Sequence, residues 1–155
     1  MPGGTSWSNF DEYVINHAIE NKKPLFAICA GFQALCSMHA INRERKDMTK
    51  ELKNNSHYGL SNKYLHSNKI YPNSLLFKIL NKKEILVNSL HHSYIDLKLS
   101  KLIVSAISDD NIIEAVELPN HPFLIGLQWH PEYLMDTNSK KIFDYFINTI
   151  KNLDK

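Results

Sequence analysis

The feature that most constrains this chain is a short apolar run, Pro24-Leu25-Phe26-Ala27-Ile28, that stops at Cys29 and gives way within two residues to a second apolar stretch, 32–41. A run of that length bounded by turn signals reads as a buried strand, and the longer stretch after it reads as a helix. Strand, tight turn and helix in immediate succession belong to an α/β layered domain, and the residue on the turn is raised above the edge of the sheet. Here that residue is Cys29, with Gly31 expected to permit the turn.

The rest of the chain fits around this unit. Ser8-Asn9 would cap a first helix carrying Phe10, Tyr13, Val14 and Ala18 at helical spacing. Residues 42–73 are polar and mix charge signs, so they read as a solvated surface segment. Strand-like runs then follow at 74–79, 85–88, 102–107, 112–118 and 124–129, separated by turn residues such as Asp109-Asp110-Asn111 and Pro119-Asn120-His121-Pro122. Residues 138–152 close the chain as a helix with Ile142, Phe143, Phe146 and Ile150 on one face. A chain of 155 residues with no linker or repeat is expected to form a single domain over 1–155.

Charge and cysteine usage narrow the function classes. The net charge of +2 comes from interspersed residues, so neither nucleic acid nor an anionic membrane is an expected partner. Cys29 and Cys36 show no metal-type spacing and no disulfide framework. With no apolar run near the ~18 residues of a spanning helix and no leader-like opening, the expected location is the cytoplasm.

Cys29 at a strand-to-helix turn has the position of a nucleophile. A helix N-terminus beside the sulfur is expected to favour thiolate, and the amide of Ala30 is free to donate to an oxyanion. Cys36, seven residues on among Ala34, Leu35 and Met38, reads as core. The second element is Trp129-His130-Pro131-Glu132 at the end of an apolar run. In an extended segment residues i and i+2 face the same way, so His130 can act as base while Glu132 orients it. Such chemistry requires no metal and no organic cofactor.

Three stretches together resemble the gamma-glutamyl-gamma-aminobutyrate hydrolase (peptidase C26) group of class I glutamine amidotransferase-like proteins. They are Pro24-Leu25-Phe26-Ala27-Ile28-Cys29-Ala30-Gly31-Phe32-Gln33, then Val87-Asn88-Ser89-Leu90-His91-His92, then Ile113-Glu114-Ala115-Val116-Glu117 continued by His121-Pro122-Phe123-Leu124-Ile125-Gly126-Leu127-Gln128-Trp129-His130-Pro131-Glu132. The resemblance implies a flavodoxin-like class I glutamine amidotransferase fold, a Cys29-His130-Glu132 triad, and hydrolysis of the gamma-glutamyl amide of a small molecule through a thioester. It also implies that Gly3 and Gly4 belong to the loop completing the oxyanion hole, and that Gln33, Asn88, Ser89 and His91 line the substrate pocket.

The family's first strands and helices are expected ahead of Pro2, so the resemblance marks the chain as N-terminally incomplete. Its activity alone is then expected to be weak or absent, and a homo-oligomer or a complementing N-terminal chain is the expected assembly. Ala30 stands where the family commonly has Arg, and Ser93 where it commonly has Gln. A glutaminase subunit serving a synthetase, and a truncated noncatalytic relic or binding module, are the alternative functions.

Overall fold

The computed structural model describes residues 8–41, 49–51, 57–59, 62–96 and 98–153. In chain order the elements are α1 (Asn9–Glu20), β1 (Leu25–Ile28), α2 (Ala30–Met38), β2 (Thr49–Glu51), β3 (His66–Ile70), α3 (Leu75–Leu80), β4 (Glu84–Val87), β5 (Ser93–Ile95), β6 (Ile103–Ser108), β7 (Ile113–Glu117), β8 (Leu124–Leu127), α4 (Pro131–Leu134) and α5 (Thr137–Leu153). Six strands make one sheet in the order β1-β8-β7-β6-β3-β4, and β2 pairs with β5 in a separate antiparallel ribbon.

Within the large sheet β1 and β8 run parallel, and every other pairing is antiparallel. Core residues divide by face. Ile15, Phe32, Leu35, Leu102, Val116 and Leu124 pack together with α1 and α2. Ile70, Leu76, Val87, Phe123, Ile125 and Ile142 pack together with α3 and α5. Gly126 of β8 lies on the α2 side, where an added Cβ would come within 3.1 Å of both Leu35 and Phe32. The missing side chain is what lets α2 approach the sheet, and α2 follows directly on the turn at Cys29.

Helix α1 begins at a capping box: the Ser8 hydroxyl accepts from the Asp11 amide, and the Asp11 carboxylate accepts from the Ser8 amide. Its buried side is formed by Ile15 and Ala18, while Phe10 and Tyr13 are 71% and 66% exposed. At ~100° per residue those two aromatics fall on the far side from Ile15, so the expected apolar face is rotated.

Two other expectations are corrected. Residues 74–79 form most of a helix, α3, because Ser74 caps it and the Glu117 carboxylate, reaching across from β7, accepts the amides of Leu75 and Leu76. Leu76 and Leu80, four apart, supply its buried face. The polar segment 42–73 also contains β3, which is inside the sheet with Ser67, Asn68 and Ile70 buried. Its sequence, His-Ser-Asn-Lys-Ile, lacks the apolar alternation that marks a half-buried strand. No helix among the described residues is long and apolar enough to cross a membrane.

Candidate active site

Strand β1 ends at Ile28 and α2 starts at Ala30, leaving Cys29 alone on the turn with φ 49° and ψ −103°. This lies outside the left-handed well that a non-glycine residue can enter, and such a conformation costs about 1–3 kcal/mol. Neighbouring hydrogen bonds hold it there. The Cys29 amide donates to the Leu127 carbonyl at 2.8 Å, and the Gln33 amide donates to the Cys29 carbonyl at 3.0 Å. Gly31, expected to permit the turn, takes no positive φ, and a Cβ on it would meet Ala27 at an ordinary 3.6 Å. The strain falls on the cysteine itself.

The pairing of β1 with β8 decides what faces the sulfur. Ile28 is in register with Leu127, so the segment after β8 starts beside Cys29. Gln128 is fully buried there, and its Nε2 donates to Cys29 Sγ at 3.7 Å. Its Oε1 accepts from Gln33 Nε2 at 3.1 Å, and Gln33 Nε2 also donates to the Ser93 carbonyl at 3.2 Å. Gln33 thus orients Gln128, and Gln128 faces the thiol. Nothing in the sequence reading singled out Gln128; its position between a buried strand and His130 was the available signal.

Burial pushes the Cys29 thiol up from its ordinary value. The Ala30 amide works against this, the charges of Glu132 and Glu114 reinforce it, and Gln128 works against it again. The net shift is upward, opposite to the expected lowering, because desolvation of the thiolate outweighs the Ala30 amide and Gln128 beside it. The resting group is a thiol that needs a base. Cys36 is completely buried in the α1 and α2 side of the core, and burial alone pushes its thiol far up.

The expected base stands three residues past β8. His130 is the N-cap of α4, and Pro131, whose fixed φ suits the first helical position, starts the helical turn that carries Glu132. The pair is therefore not extended as expected, yet His130 Nδ1 and Glu132 Oε1 are 2.6 Å apart. With Nδ1–H donated to the carboxylate, Nε2 keeps the lone pair. The backbone of His130 is held from both sides by one side chain: its amide donates to Asn88 Oδ1 at 2.9 Å and its carbonyl accepts from Asn88 Nδ2 at 2.8 Å. No hydrogen bond joins Cys29 Sγ to the His130 ring among the described residues; bonds of this kind commonly tighten only around a substrate.

The other expected residues separate into groups. Ala30 places its amide against the sulfur. Asn88, Ser89 and His91 are buried and turn their side chains to protein groups: Asn88 to His130, Ser89 to the His57 carbonyl, and His91, through Nδ1, to the Ser93 carbonyl, with its Nε2 3.4 Å from Glu114. Gly3 and Gly4 lie outside the described residues.

Known proteins share this arrangement of elements. The glutaminase domain of Trypanosoma brucei CTPS, solved with bound acivicin, superposes with a TM-score of 0.70 at 19% identity, covering 97% of this chain and 69% of that one. The gamma-glutamyl-gamma-aminobutyrate hydrolase PuuD of Escherichia coli K12 is 32% identical over 154 residues, which is 90% of this chain and 58% of the relative. Protein NtpR of Enterococcus hirae is 32% identical over 145 residues, 89% of this chain and 60% of the relative. The chain thus spans about 60% of the length of these curated relatives. The family model of peptidase C26 matches residues 8–132, the stretch that runs from the cap of α1 through Cys29 to Glu132. On that match, and on a fold shared with class I glutamine amidotransferase domains, the chain belongs to the peptidase C26 family.

Proposed function

We propose that this protein is a cysteine hydrolase of gamma-glutamyl amide bonds in small molecules, working through a thioester on Cys29. The observation that carries the reading is that a strained turn cysteine and a carboxylate-oriented histidine follow the carboxyl ends of two adjacent parallel strands. Similarity to a gamma-glutamyl-gamma-aminobutyrate hydrolase supports the substrate class.

In this mechanism His130 Nε2 removes the proton of the neutral Cys29 thiol as sulfur attacks the amide carbonyl. Glu132, on Nδ1, stabilises the imidazolium that results. The Ala30 amide donates to the oxyanion of the tetrahedral intermediate. Collapse breaks the C–N bond, and the leaving amine takes the proton from His130. A water molecule then gives its proton to His130 and attacks the thioester carbonyl, which releases the gamma-carboxylate and returns the proton to sulfur.

A second reading has its own support: a CTP synthase of Thermosipho africanus is 30% identical over 167 residues, 86% of this chain. Under it the same triad would hydrolyse glutamine and pass ammonia to a synthetase. Hydrolysis of gamma-glutamyl-gamma-aminobutyrate and of glutamine, each followed by glutamate release with wild-type and Cys29→Ser protein, separates the two. Turnover of the former by the wild type alone supports the hydrolase; glutamine turnover that appears only with a synthetase supports the alternative. Covalent trapping of glutamate on a residue other than Cys29 would falsify both.

A further inference from the structure

Three histidines from separate segments converge on one buried carboxylate. Glu114 of β7 is completely buried, and its Oε1 is 3.4 Å from His57 Nδ1, 3.4 Å from His91 Nε2 and 3.7 Å from His66 Nε2. His57 precedes the β3 region, His66 opens β3, and His91 lies between β4 and β5. These separations exceed the roughly 2.7–3.2 Å of a hydrogen bond to nitrogen. None of the facing atoms, His57 Nδ1, His66 Nε2, His91 Nε2 or either Glu114 oxygen, has a hydrogen-bond partner among the described residues, although all are shut off from water.

The far sides of two rings are already committed. His57 Nε2 is 3.0 Å from the Asp110 carboxylate, and His91 Nδ1 is 3.0 Å from the Ser93 carbonyl. A neutral ring that gives its N–H outward presents a bare lone pair inward. When neutral, His57 and His91 thus aim lone pairs at a carboxylate, a repulsion that a cation between them, proton or metal, relieves.

The dimensions select the kind of cation. Metal–nitrogen bonds of about 2.0–2.1 Å in a tetrahedral site place neighbouring donors about 3.3–3.4 Å apart. Two of the three separations from Glu114 equal 3.4 Å and the third is 3.7 Å, and the donor atoms of His57, His66 and Glu114 all lie within 4.8 Å of one another. A proton shared by one ring and the carboxylate would draw that pair into hydrogen-bond range, which none of the three enters. Imidazole with one carboxylate suits zinc. The outward bonds to Asp110 and the Ser93 carbonyl are what metal-binding histidines use to set their tautomer. A divalent ion would also balance the charges of Glu114 and Asp110.

We propose that His57 Nδ1, His66 Nε2 and Glu114 Oε1 form a buried, structural site for a divalent transition-metal ion, with zinc as the preferred occupant and His91 Nε2 facing the same carboxylate. The donor atoms are shut off from water, so the ion takes no part in hydrolysis. It braces the wall behind the active site: the Glu114 carbonyl accepts the Gln128 amide at 2.8 Å, and Asn88, three residues before His91, holds His130.

The test uses the full chain without a histidine tag, stripped with chelator and titrated with zinc and with cobalt. One equivalent of zinc should bind and raise the thermal midpoint, and cobalt should give the intense visible bands of a four-coordinate ion. Asp110→Asn, at the half-exposed rim of the cluster, should fold and weaken zinc binding about 10–100-fold; Glu114→Gln should abolish it; His17→Gln, on the exposed side of α1, should leave it unchanged. Substoichiometric binding by the wild type, a six-coordinate cobalt spectrum, or an Asp110→Asn protein that binds zinc as tightly as the wild type would overturn the site. Because the wild-type titration and Asp110→Asn decide the matter, a Glu114→Gln protein that fails to fold does not obscure it.

Discussion

Two regions of this molecule set histidine against a carboxylate, and they differ in every physical respect that matters. At the edge of the sheet His130 and Glu132 are two residues apart in sequence, partly exposed, and joined by a short hydrogen bond that leaves one ring nitrogen free. Inside the fold Glu114 is closed off from water and faced by three rings at distances too long for hydrogen bonds. The first arrangement can accept and return a proton because its free nitrogen can meet a substrate. The second is shut off from water, which suits it to holding a charge in place. Histidine chemistry is thus decided by where the second nitrogen points.

Changes at the edge should therefore cost rate, and changes in the interior should cost stability. The largest effect is expected for His130→Ala, which should lower gamma-glutamyl amide hydrolysis by about 10⁴-fold or more while leaving the urea midpoint near that of the wild type. A variant that loses rate and stability together would erase the distinction.

Asn88→Ala tests the link between the regions, because Asn88 is buried and satisfies both backbone groups of His130. Leaving those groups unpaired should cost about 2 kcal/mol of stability, with a fall in kcat greater than any change in KM. An effect confined to stability would mean that His130 is positioned without the clamp.

The reactivity of the two cysteines sharpens the same contrast. Burial raises the Cys29 thiol, so its neutral form persists to higher pH than in free cysteine; alkylation followed by mass spectrometry should rise with pH through a midpoint above that of the free amino acid. Cys36 should remain unlabelled in the folded protein. A Cys29 midpoint below that of free cysteine would show that the helix terminus or His130 outweighs burial.

The smallest expected effect concerns the turn itself. Cys29→Gly removes the side chain that makes φ 49° costly, and should be more stable than Cys29→Ala by about 1 kcal/mol in urea denaturation. Equal stability would place the strain elsewhere.

Much of the candidate site's local structure was legible because its parts are local. A strand ending at a cysteine, a helix starting after it, and His130-Pro131-Glu132 following a buried run are each contained in a few residues. Strands β4, β6, β7 and β8 showed themselves through apolar runs between turn residues, and Asn111 and Asn120 do take the positive φ such turns use. What misled the reading was non-local. Helix α3 is capped by Glu117 from 41 and 42 residues away, and β3 holds its place with polar residues whose burial depends on neighbours β4 and β6.

By itself the sequence determined the layered α/β character, the turn that presents Cys29, and the pairing of His130 with Glu132, because each rests on backbone geometry or contacts within a few residues. Only the tertiary structure decided that Gln128 faces the sulfur and that burial, not the helix terminus, governs the thiol. The same holds for His57, His66 and His91, which meet around Glu114. Desolvation and convergence depend on which segments the sheet order brings together, and His57, His66, His91 and Glu114 carry no common spacing along the chain from which their meeting could be read.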